Sequence, residues 1–223
     1  MDLGLKGRTA VVMGASQGLG KASAVQLAAE GAQVVLVSRS AEKLEAVKSE
    51  IEAAGGSAQV QTCDLFDASS RAAFVEFLGS IQQLDVLVAN SGGPAPGMAP
   101  GIASDVWTKE FDAMVLGLIQ IIDASVAQMK SRGFGRVVVI ASSGIVVPIP
   151  KLAVSNTLRS AVAGYVKTLA EQMAPHGVTC NLVLPGRIET PRTQAIDKGT
   201  AANMGISVEE ARAASAATIP MGR

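Results

Sequence analysis

Three glycines near the amino terminus are spaced so that they could bind a phosphate group. Gly14, Gly18 and Gly20 lie between a predicted strand, Thr9–Met13, and a predicted helix over residues 21–30. Glycines let the backbone turn sharply and approach a pyrophosphate, and the helix that follows offers free N–H groups and partial positive charge. Although the spacing G-x-x-x-G-x-G differs from the commoner G-x-G-x-x-G, its place between first strand and first helix predicts a dinucleotide-binding loop.

Arg39 places a positive charge directly after the second predicted strand, Gln33–Ser38. NAD-binding proteins usually carry a carboxylate near this point to bind the ribose hydroxyls, whereas this chain has Ser38 there. A guanidinium can pair with a 2′-phosphate through two hydrogen bonds. Arg39 therefore favours NADP(H) over NAD(H); the alternative interpretation is a solvated loop residue.

Short β-branched segments alternate with longer amphipathic segments along the rest of the chain. The remaining predicted elements are strands over residues 58–62, 86–89, 136–141 and 179–184, and helices over residues 41–54, 69–81, 105–131 and 152–174. Several strands are continuous apolar runs, as in a parallel sheet that is covered on both faces. The strict alternation predicts a single doubly wound α/β domain of the Rossmann type over residues 1–223, with ligand-binding residues just after the strands.

The amino-acid composition limits the classes of partner that the protein is expected to bind. Lys+Arg and Asp+Glu both number 19, so the zero net charge favours neither nucleic acid nor an acidic membrane surface. Cys63 and Cys180 are too few and too far apart for a disulfide framework, and we expect buried reduced thiols and no metal. No signal-peptide pattern opens the chain, and apolar stretches such as residues 114–122 are too short to span a membrane. These features predict a cytoplasmic protein.

The residues that follow the predicted strands resemble those of the short-chain dehydrogenase/reductase family, from about Leu5 to the C-terminus. Besides the glycine loop, the resemblance rests on Cys63-Asp64-Leu65, Ala89-Asn90-Ser91-Gly92, Gly135-Arg136 with Ser142-Ser143, and Asn181-Leu-Val-Leu-Pro185-Gly186-Arg-Ile188-Glu-Thr190. It implies a nicotinamide dinucleotide whose adenine amino group meets Asp64 and whose carboxamide meets Ile188 and Thr190. The implied cofactor-binding residues are Gly14, Ser16, Gln17, Gly18, Leu19, Gly20, Arg39, Asp64, Leu65, Asn90, Ser91, Gly92, Arg159, Pro185, Gly186, Ile188 and Thr190.

The catalytic positions implied by the resemblance are altered. Family members use a serine, a tyrosine thirteen residues later and a lysine four residues after that, while an asparagine on the preceding long helix helps to hold a proton-relay water. Ser142 matches the serine, but Ser155 and Arg159 stand at the tyrosine and lysine positions, in a register fixed by Lys167-Thr-Leu-Ala170. Met114 stands at the asparagine position.

These replacements weaken acid–base catalysis. An aliphatic alcohol is a far weaker acid than a phenol, whose pKa is about 10, and arginine stays charged at any working pH. We expect Ser142, with a bound water polarised by Arg159, to be the proton source of a slow or atypical reaction. Tyr165, the only tyrosine, is expected to point into the packing between helices, and His176, the only histidine, to lie in a surface turn.

The C-terminal segment, residues 191–223, is polar and rich in alanine. A helix is predicted around Val208–Ala217, because Ser207 and Glu210 form a capping-box pattern. In family members this region closes over the substrate. The helix and last strand that usually follow, and that often build the oligomer interface, are absent from the given chain; we still expect a homo-oligomer, either a dimer or a tetramer.

Among family members the pattern is nearest to 3-oxoacyl-acyl-carrier-protein reductases. It predicts an NADP(H)-dependent oxidoreductase for a carbonyl/alcohol pair on a small-molecule or acyl-thioester substrate. Because a fold hosts many functions, two alternatives stay open. One is a nucleotide-binding sensor or partner subunit without redox chemistry, and the other is a non-redox lyase or isomerase.

Overall fold

Strands and helices alternate through residues 2–222, the part of the chain that the computed structural model describes. The strands are β1 (Thr9–Met13), β2 (Gln33–Ser38), β3 (Ser57–Thr62), β4 (Val86–Asn90), β5 (Gly135–Ile140) and β6 (Val178–Val183). The α-helices are α1 (Gly18–Ala29), α2 (Ala41–Ala53), α3 (Ala68–Ser80), α4 (Ser104–Phe111), α5 (Gly117–Arg132), α6 (Ala153–Met173), α7 (Pro191–Met204) and α8 (Val208–Ala217).

The six strands form one parallel sheet in the order β3-β2-β1-β4-β5-β6. After β3 the chain returns to the other side of β1, so the connections that leave β1 and β4 run in opposite directions. A crevice forms at such a switch point, and ligands of doubly wound folds bind there. The predicted fold class is confirmed.

Apolar side chains are buried on both faces of the sheet, which explains why the strands are continuous apolar runs. On one face, Val12 and Leu36 pack with Leu44 and residues of α1. On the other face, the core includes Phe74 of α3 and Ile121 of α5, together with residues of α6. Burial against helices on both sides fixes the sheet, and with it the positions of the loops at the carboxyl ends of its strands.

A buried carboxylate joins the amino ends of β1 and β4. Asp85 is fully buried, accepts from the N–H of Thr9 at 3.0 Å, and pairs with Arg132 at 2.6 Å and Arg8 at 3.2 Å. Burial raises the pKa of Asp85, but the hydrogen bonds from Thr9, Gln83 and Arg132 outweigh this effect and hold the pKa below its ordinary value. The ionised carboxylate therefore stabilises the fold.

Two regions differ from the sequence-based prediction. The helix predicted over residues 105–131 is confirmed as one helical stretch, but a π-turn at Asp112–Leu116 interrupts its α-helical hydrogen bonding between α4 and α5. Helix α7 was not predicted; only Asp197 and Ala201 are buried on it, so it has no apolar stripe for the sequence to reveal. The predicted helix at Val208–Ala217 and its Ser207/Glu210 capping box are confirmed.

The chain divides into two compact units, of which the first ends at Pro185 and contains the sheet. The second begins at Gly186 and contains α7 and α8. Within it, Arg187 pairs with the buried Asp197 and donates to Ser215 Oγ at 3.0 Å. In the part of the chain that the structure describes, no helix is both long and apolar enough to cross a membrane.

We expect Asp85→Asn to lower the free energy of unfolding at neutral pH by about 2 kcal/mol, since it removes a charged acceptor from a buried site. Because folding lowers the pKa of Asp85, its contribution is present above the ordinary pKa of about 3.9 and is lost as the pH falls through the folded-state value. Urea unfolding at several pH values should show that the difference in free energy of unfolding between the variant and the wild type becomes smaller in acid. Asp105→Asn, at an exposed position, is the control; a pH-independent gap would contradict the assignment.

Candidate active site

The glycine loop brings α1 close to the end of β1. Gly14 and Gly18 have left-handed backbone angles, with φ of 66° and 58°. A Cβ atom on Gly20 would lie only 2.3 Å from the carbonyl oxygen of Gly14, so no side chain fits between helix and strand. Helix α1 begins at Gly18, three residues before the predicted start. The first-turn amides of α1, which have no partner within the helix, therefore face the crevice end of the sheet.

The other predicted residues of this loop divide into two kinds. Ser16 is partly exposed and Gln17 is exposed, and the side chain of Gln17 does not cap α1. Leu19 packs against the core beneath α1. The polar residues thus leave the helix N-terminus open to an anion, while Leu19 anchors the helix.

The loops after β1 and β4 meet at Gly14 and Asn90. A Cβ on Gly14 would lie 2.6 Å from Asn90 Nδ2, so the glycine is required by its neighbour as well as by its backbone angle. The ends of β2 and β3 are also adjacent, because the N–H of Cys63 donates to the carbonyl of Ser38 at 3.0 Å. Arg39, which is exposed, and the residues after β3 therefore lie on one side of the crevice.

The loop after β3 is ordered by short-range hydrogen bonds. The N–H of Asp64 donates to Ser70 Oγ at 2.9 Å, and Asp64 Oδ1 accepts from the N–H of Phe66 at 3.0 Å. Leu65 packs partly against the core, and its carbonyl accepts from Arg71. Cys63 is buried as predicted, and burial, with the nearby charge of Asp64, raises the pKa of its thiol to about 11.

Arg159 joins three elements at the carboxyl edge of the sheet. Its Nε donates to Ser155 Oγ at 3.3 Å, and its Nη1 donates to the carbonyl of Ile140, at the end of β5, at 3.2 Å. Its Nη2 reaches the carbonyls of Ser91 and Gly92, after β4, at 3.5 Å each. The structure thus brings together Arg159, Ser155, Ser91 and Gly92, with the positive charge of Arg159 among them; their catalytic and cofactor-binding roles stay predictions.

Ser142 stands at the end of β5, where a 3₁₀ turn at Ser143–Ile145 begins. Its Oγ accepts from the N–H of Gly144 at 3.1 Å. A Cβ on Gly144 would lie 3.3 Å from Ser142 Oγ and 2.3 Å from Asn156 Oδ1, so this turn sits directly against the start of α6. Ser142 is consequently held beside the helix turn that carries Ser155.

Met114 lies in the π-turn and is buried beside Arg159. Ser91, Met114 and Arg159 border a cavity of about 10 Å³, which is close to the space of one water. Ser91 Oγ is buried and has no hydrogen-bond partner in the part of the chain that the structure describes. Arg71 holds the π-turn through a 2.8 Å ion pair with Asp112, and Gly117 leaves room for the arginine side chain.

The two residues that could have replaced the missing acid lie elsewhere. The hydroxyl of Tyr165 donates to the Asp123 carboxylate of α5, and burial, followed by this hydrogen bond, raises the pKa of Tyr165. The prediction that Tyr165 packs between helices is confirmed. His176 lies in a 3₁₀ turn directly before β6, hence at the amino edge of the sheet. Neither side chain stands at the end of the sheet that carries Ser142.

The last predicted cofactor-binding segment, residues 185–190, contains residues of both units. Pro185 ends the first unit, whereas Gly186, Ile188 and Thr190 belong to the second. Thr190 is the N-cap of α7, where its Oγ1 accepts from the N–H of Thr193 at 3.3 Å. Ile188 is exposed. The cofactor contacts predicted for these residues stay predictions.

Lys151 is a feature of this edge that sequence reasoning missed. It is the only described residue other than glycine with a left-handed backbone, at φ 60°. Its carbonyl accepts from the N–H of Gly97 at 2.7 Å, and Gly97 pairs with Leu152 in an isolated bridge. The loops after β4 and β5 are therefore tied together. No sequence pattern indicates this, because any residue type other than glycine disfavours such a backbone.

The chain belongs to the short-chain dehydrogenase family, since a family model for short chain dehydrogenases matches residues 8–201. The NADPH-dependent reductase BacG of Bacillus subtilis (strain 168) is 32% identical over 219 residues, covering 97% of this chain and 85% of BacG. A crystal structure of a variant actinorhodin polyketide ketoreductase with NADPH has a TM-score of 0.90 at 30% identity, over 97% of this chain and 84% of that chain. The crystal structure of 3-oxoacyl (acyl-carrier-protein) reductase from Agrobacterium tumefaciens C58 with NADP bound has a TM-score of 0.88 at 27% identity. The match covers 98% of this chain and 82% of that chain. The predicted resemblance is confirmed.

We expect Gly20→Ala to lower the free energy of unfolding by about 1–3 kcal/mol, because the new methyl group meets rigid backbone at Gly14. Gly79→Ala is the matched control, since the helical Gly79 has open space around its Cβ position. Urea unfolding should find the control neutral or stabilised. Equal unfolding energies for the two variants would contradict the close approach of α1 to β1.

Proposed function

We propose that this chain is an NADP(H)-dependent reductase of the short-chain dehydrogenase family that acts on a carbonyl/alcohol pair. The observation that carries the proposal is the glycine cradle after β1: Asn90 fills the space of a Cβ at Gly14, backbone of Met13 and Gly14 fills it at Gly20, and Gly18 has a left-handed backbone. The same cofactor is supported by BacG, an NADPH-dependent reductase, by the actinorhodin ketoreductase with NADPH, and by the 3-oxoacyl (acyl-carrier-protein) reductase with NADP bound.

The described residues fit this cofactor at both of its ends. The first-turn amides of α1 would bind the pyrophosphate, and Arg39 would pair with the 2′-phosphate. Asp64 and Leu65 would meet the adenine. Asn90, Ser91, Gly92 and Arg159 would line the nicotinamide ribose. The cofactor, when bound, would supply hydride, and these residues would position it.

At the reacting end, Ser142 would bond the substrate oxygen, while Arg159 would hold the ribose and provide positive charge. Ser155 would add a second hydroxyl, since its Oγ accepts from Arg159 Nε. The proposed proton source is a water held near Ser142 and polarised by Arg159. Ser142→Ala should therefore lower turnover, and turnover equal to that of the wild-type protein would contradict this proton source.

A nucleotide-binding protein without redox chemistry is the second candidate. The observation in its favour is that Arg159 donates hydrogen bonds to the main-chain carbonyls of three residues at the site. Consumption of NADPH with a panel of ketones and 3-oxoacyl thioesters tests the two: turnover supports the reductase, and binding of NADPH without turnover of these substrates or of an unsaturated ketone supports the sensor. The lid role of residues 191–223, the homo-oligomer and the cytoplasmic location stay predictions.

Arg39→Ala should raise the dissociation constant for NADPH about 10–100-fold and leave that for NADH unchanged, because it removes a charged hydrogen bond that only the 2′-phosphate can make. Calorimetric titration with both nucleotides measures the two constants. Lys130→Ala, which removes an exposed cation at the end of α5, is the control. An equal loss for NADPH and NADH would contradict the role of Arg39.

The double variant Ser155→Tyr/Arg159→Lys should raise ketone reduction by on the order of 10²-fold, since it restores a phenolic acid and its lysine partner. NADPH consumption with a 3-oxoacyl thioester measures the gain. Ser160→Tyr, on the exposed side of α6, is the control for adding a phenol elsewhere. No gain on any ketone would mean that the pocket no longer accepts an isolated carbonyl group.

A further inference from the structure

The altered catalytic positions leave a chemical problem for ketone reduction. When hydride reaches an isolated carbonyl carbon, the oxygen becomes an alkoxide, a strong base that needs a proton from a nearby acid. Tyr165 and His176 are the only tyrosine and the only histidine of the chain. Tyr165 is bonded to Asp123, and His176 precedes β6 at the opposite edge of the sheet. Neither can protonate an oxygen that is bound to Ser142, so ketone reduction would depend on a bound water, which is a far weaker acid than a phenol.

Two hydroxyl groups at this edge are instead arranged as hydrogen-bond donors. Ser155 Oγ accepts from Arg159 Nε at 3.3 Å, and Ser142 Oγ accepts from the N–H of Gly144 at 3.1 Å. A serine hydroxyl has one O–H and two acceptor lone pairs. Since a protein N–H already occupies an acceptor site on each oxygen, each O–H can turn toward a substrate oxygen.

The guanidinium of Arg159 adds permanent positive charge behind these hydroxyls. It is held in place by the carbonyls of Ile140, Ser91 and Gly92. Ser155 is only 9% exposed, and a low local dielectric strengthens both the polarisation of its hydroxyl and the attraction for an anion. Because arginine keeps its proton, the group stabilises negative charge without donating a proton.

We infer that this site reduces the carbon–carbon double bond of an α,β-unsaturated ketone or thioester in preference to an isolated carbonyl group. The inference rests on the NADPH-dependent hydride transfer of the proposed function and changes the bond that is reduced from C=O to C=C. Charge that develops on a conjugated carbonyl oxygen is shared with carbon as an enolate, which is a weaker base than an alkoxide. Its stabilisation needs fixed donors and charge at the oxygen, and these are what Ser142, Ser155 and Arg159 supply.

NADPH, when bound, would supply hydride to the β-carbon of the substrate. The electron pair of the double bond moves between the α-carbon and the carbonyl carbon, and the carbonyl π pair moves onto oxygen. The hydroxyls of Ser142 and Ser155 bond that oxygen while Arg159 offsets its charge. The α-carbon then takes a proton from solvent water, and the saturated carbonyl compound leaves with NADP⁺. One hydride and one proton are added across the double bond.

Apolar side chains border the same edge and suggest a suitable probe. Val146 and Val147, in the loop after β5, are each 70% exposed, and Met98, in the loop after β4, is 64% exposed. Pockets for small molecules are lined mainly by apolar groups with a few polar ones. A conjugated substrate with an apolar substituent fits this rim, so we choose 4-phenylbut-3-en-2-one.

The experiment combines the full chain, 4-phenylbut-3-en-2-one and NADPH that carries deuterium at the transferred position of C4. Nuclear magnetic resonance of the product locates the label. We expect deuterium on the carbon that bears the phenyl group, and turnover of the saturated ketone 4-phenylbutan-2-one at least about tenfold slower, since that ketone needs an acid.

Deuterium on the carbinol carbon would overturn the inference and leave the proposed function standing. Absence of turnover in a protein that binds NADPH by calorimetry would overturn the inference as well. Failure to bind NADPH would instead overturn the proposed function.

Variants test the residues one by one. Arg159→Met and Ser142→Ala should each lower kcat with the unsaturated ketone by on the order of 10²-fold, the cost of removing one oxyanion donor. Ser160→Ala, also on α6 but exposed, should have no effect. Lys151→Met should likewise leave kcat unchanged; a comparable loss there would show that the lysine ammonium donates a proton and would overturn the inference.

A spectroscopic measurement is independent of turnover. With NADP⁺ present, 4-nitrophenol should bind as its yellow phenolate at a pH where free 4-nitrophenol is protonated, because the phenolate oxygen resembles that of an enolate. Arg159→Met should abolish this absorbance, and Ser160→Ala should retain it. Binding of 4-nitrophenol as the neutral phenol by the wild-type protein would contradict the proposed oxyanion site.

Discussion

The contact between β1 and α1 at Gly14 and Gly20 determines where a phosphate group can lie. With only 2.3 Å between the Cβ position of Gly20 and the carbonyl oxygen of Gly14, the helix axis begins directly above the end of the strand. The unpaired amides of the first helical turn then point into the crevice between β1 and β4. In the proposed cofactor site, Arg39, Asp64 and Asn90 can reach a nucleotide only if its diphosphate is held at this contact.

At the other end of the crevice, Ser155 and Arg159 stand where the family resemblance implies a tyrosine and a lysine. Arg159 binds the carbonyls at the ends of β4 and β5 and polarises Ser155, so the site is rigid and positively charged. The family's usual combination of phenol and lysine transfers a proton, whereas a guanidinium and two hydroxyls bind an oxyanion. We therefore propose that the same scaffold retains hydride chemistry while it changes which substrate oxygen it can stabilise.

The sequence predicts those features that depend on local pattern. Continuous apolar runs predict buried parallel strands, and the position of Gly14, Gly18 and Gly20 predicts the nucleotide loop; the structure confirms the fold. The π-turn at Asp112–Leu116 could not be predicted, because it depends on a contact with Arg71 of another helix. Likewise, the hydrogen bonds of Arg159 join residues that are far apart in the chain. Its replacement of lysine is visible in the sequence, but its role as a cross-link is not.

Binding of the dinucleotide is the claim on which the rest depends, and calorimetric titration of folded, full-length chain with NADPH and with NADH tests it most directly. The structure predicts saturable binding of one nucleotide per chain, with NADPH bound more tightly than NADH. A protein that unfolds cooperatively, and so is folded, yet binds neither nucleotide would contradict the account.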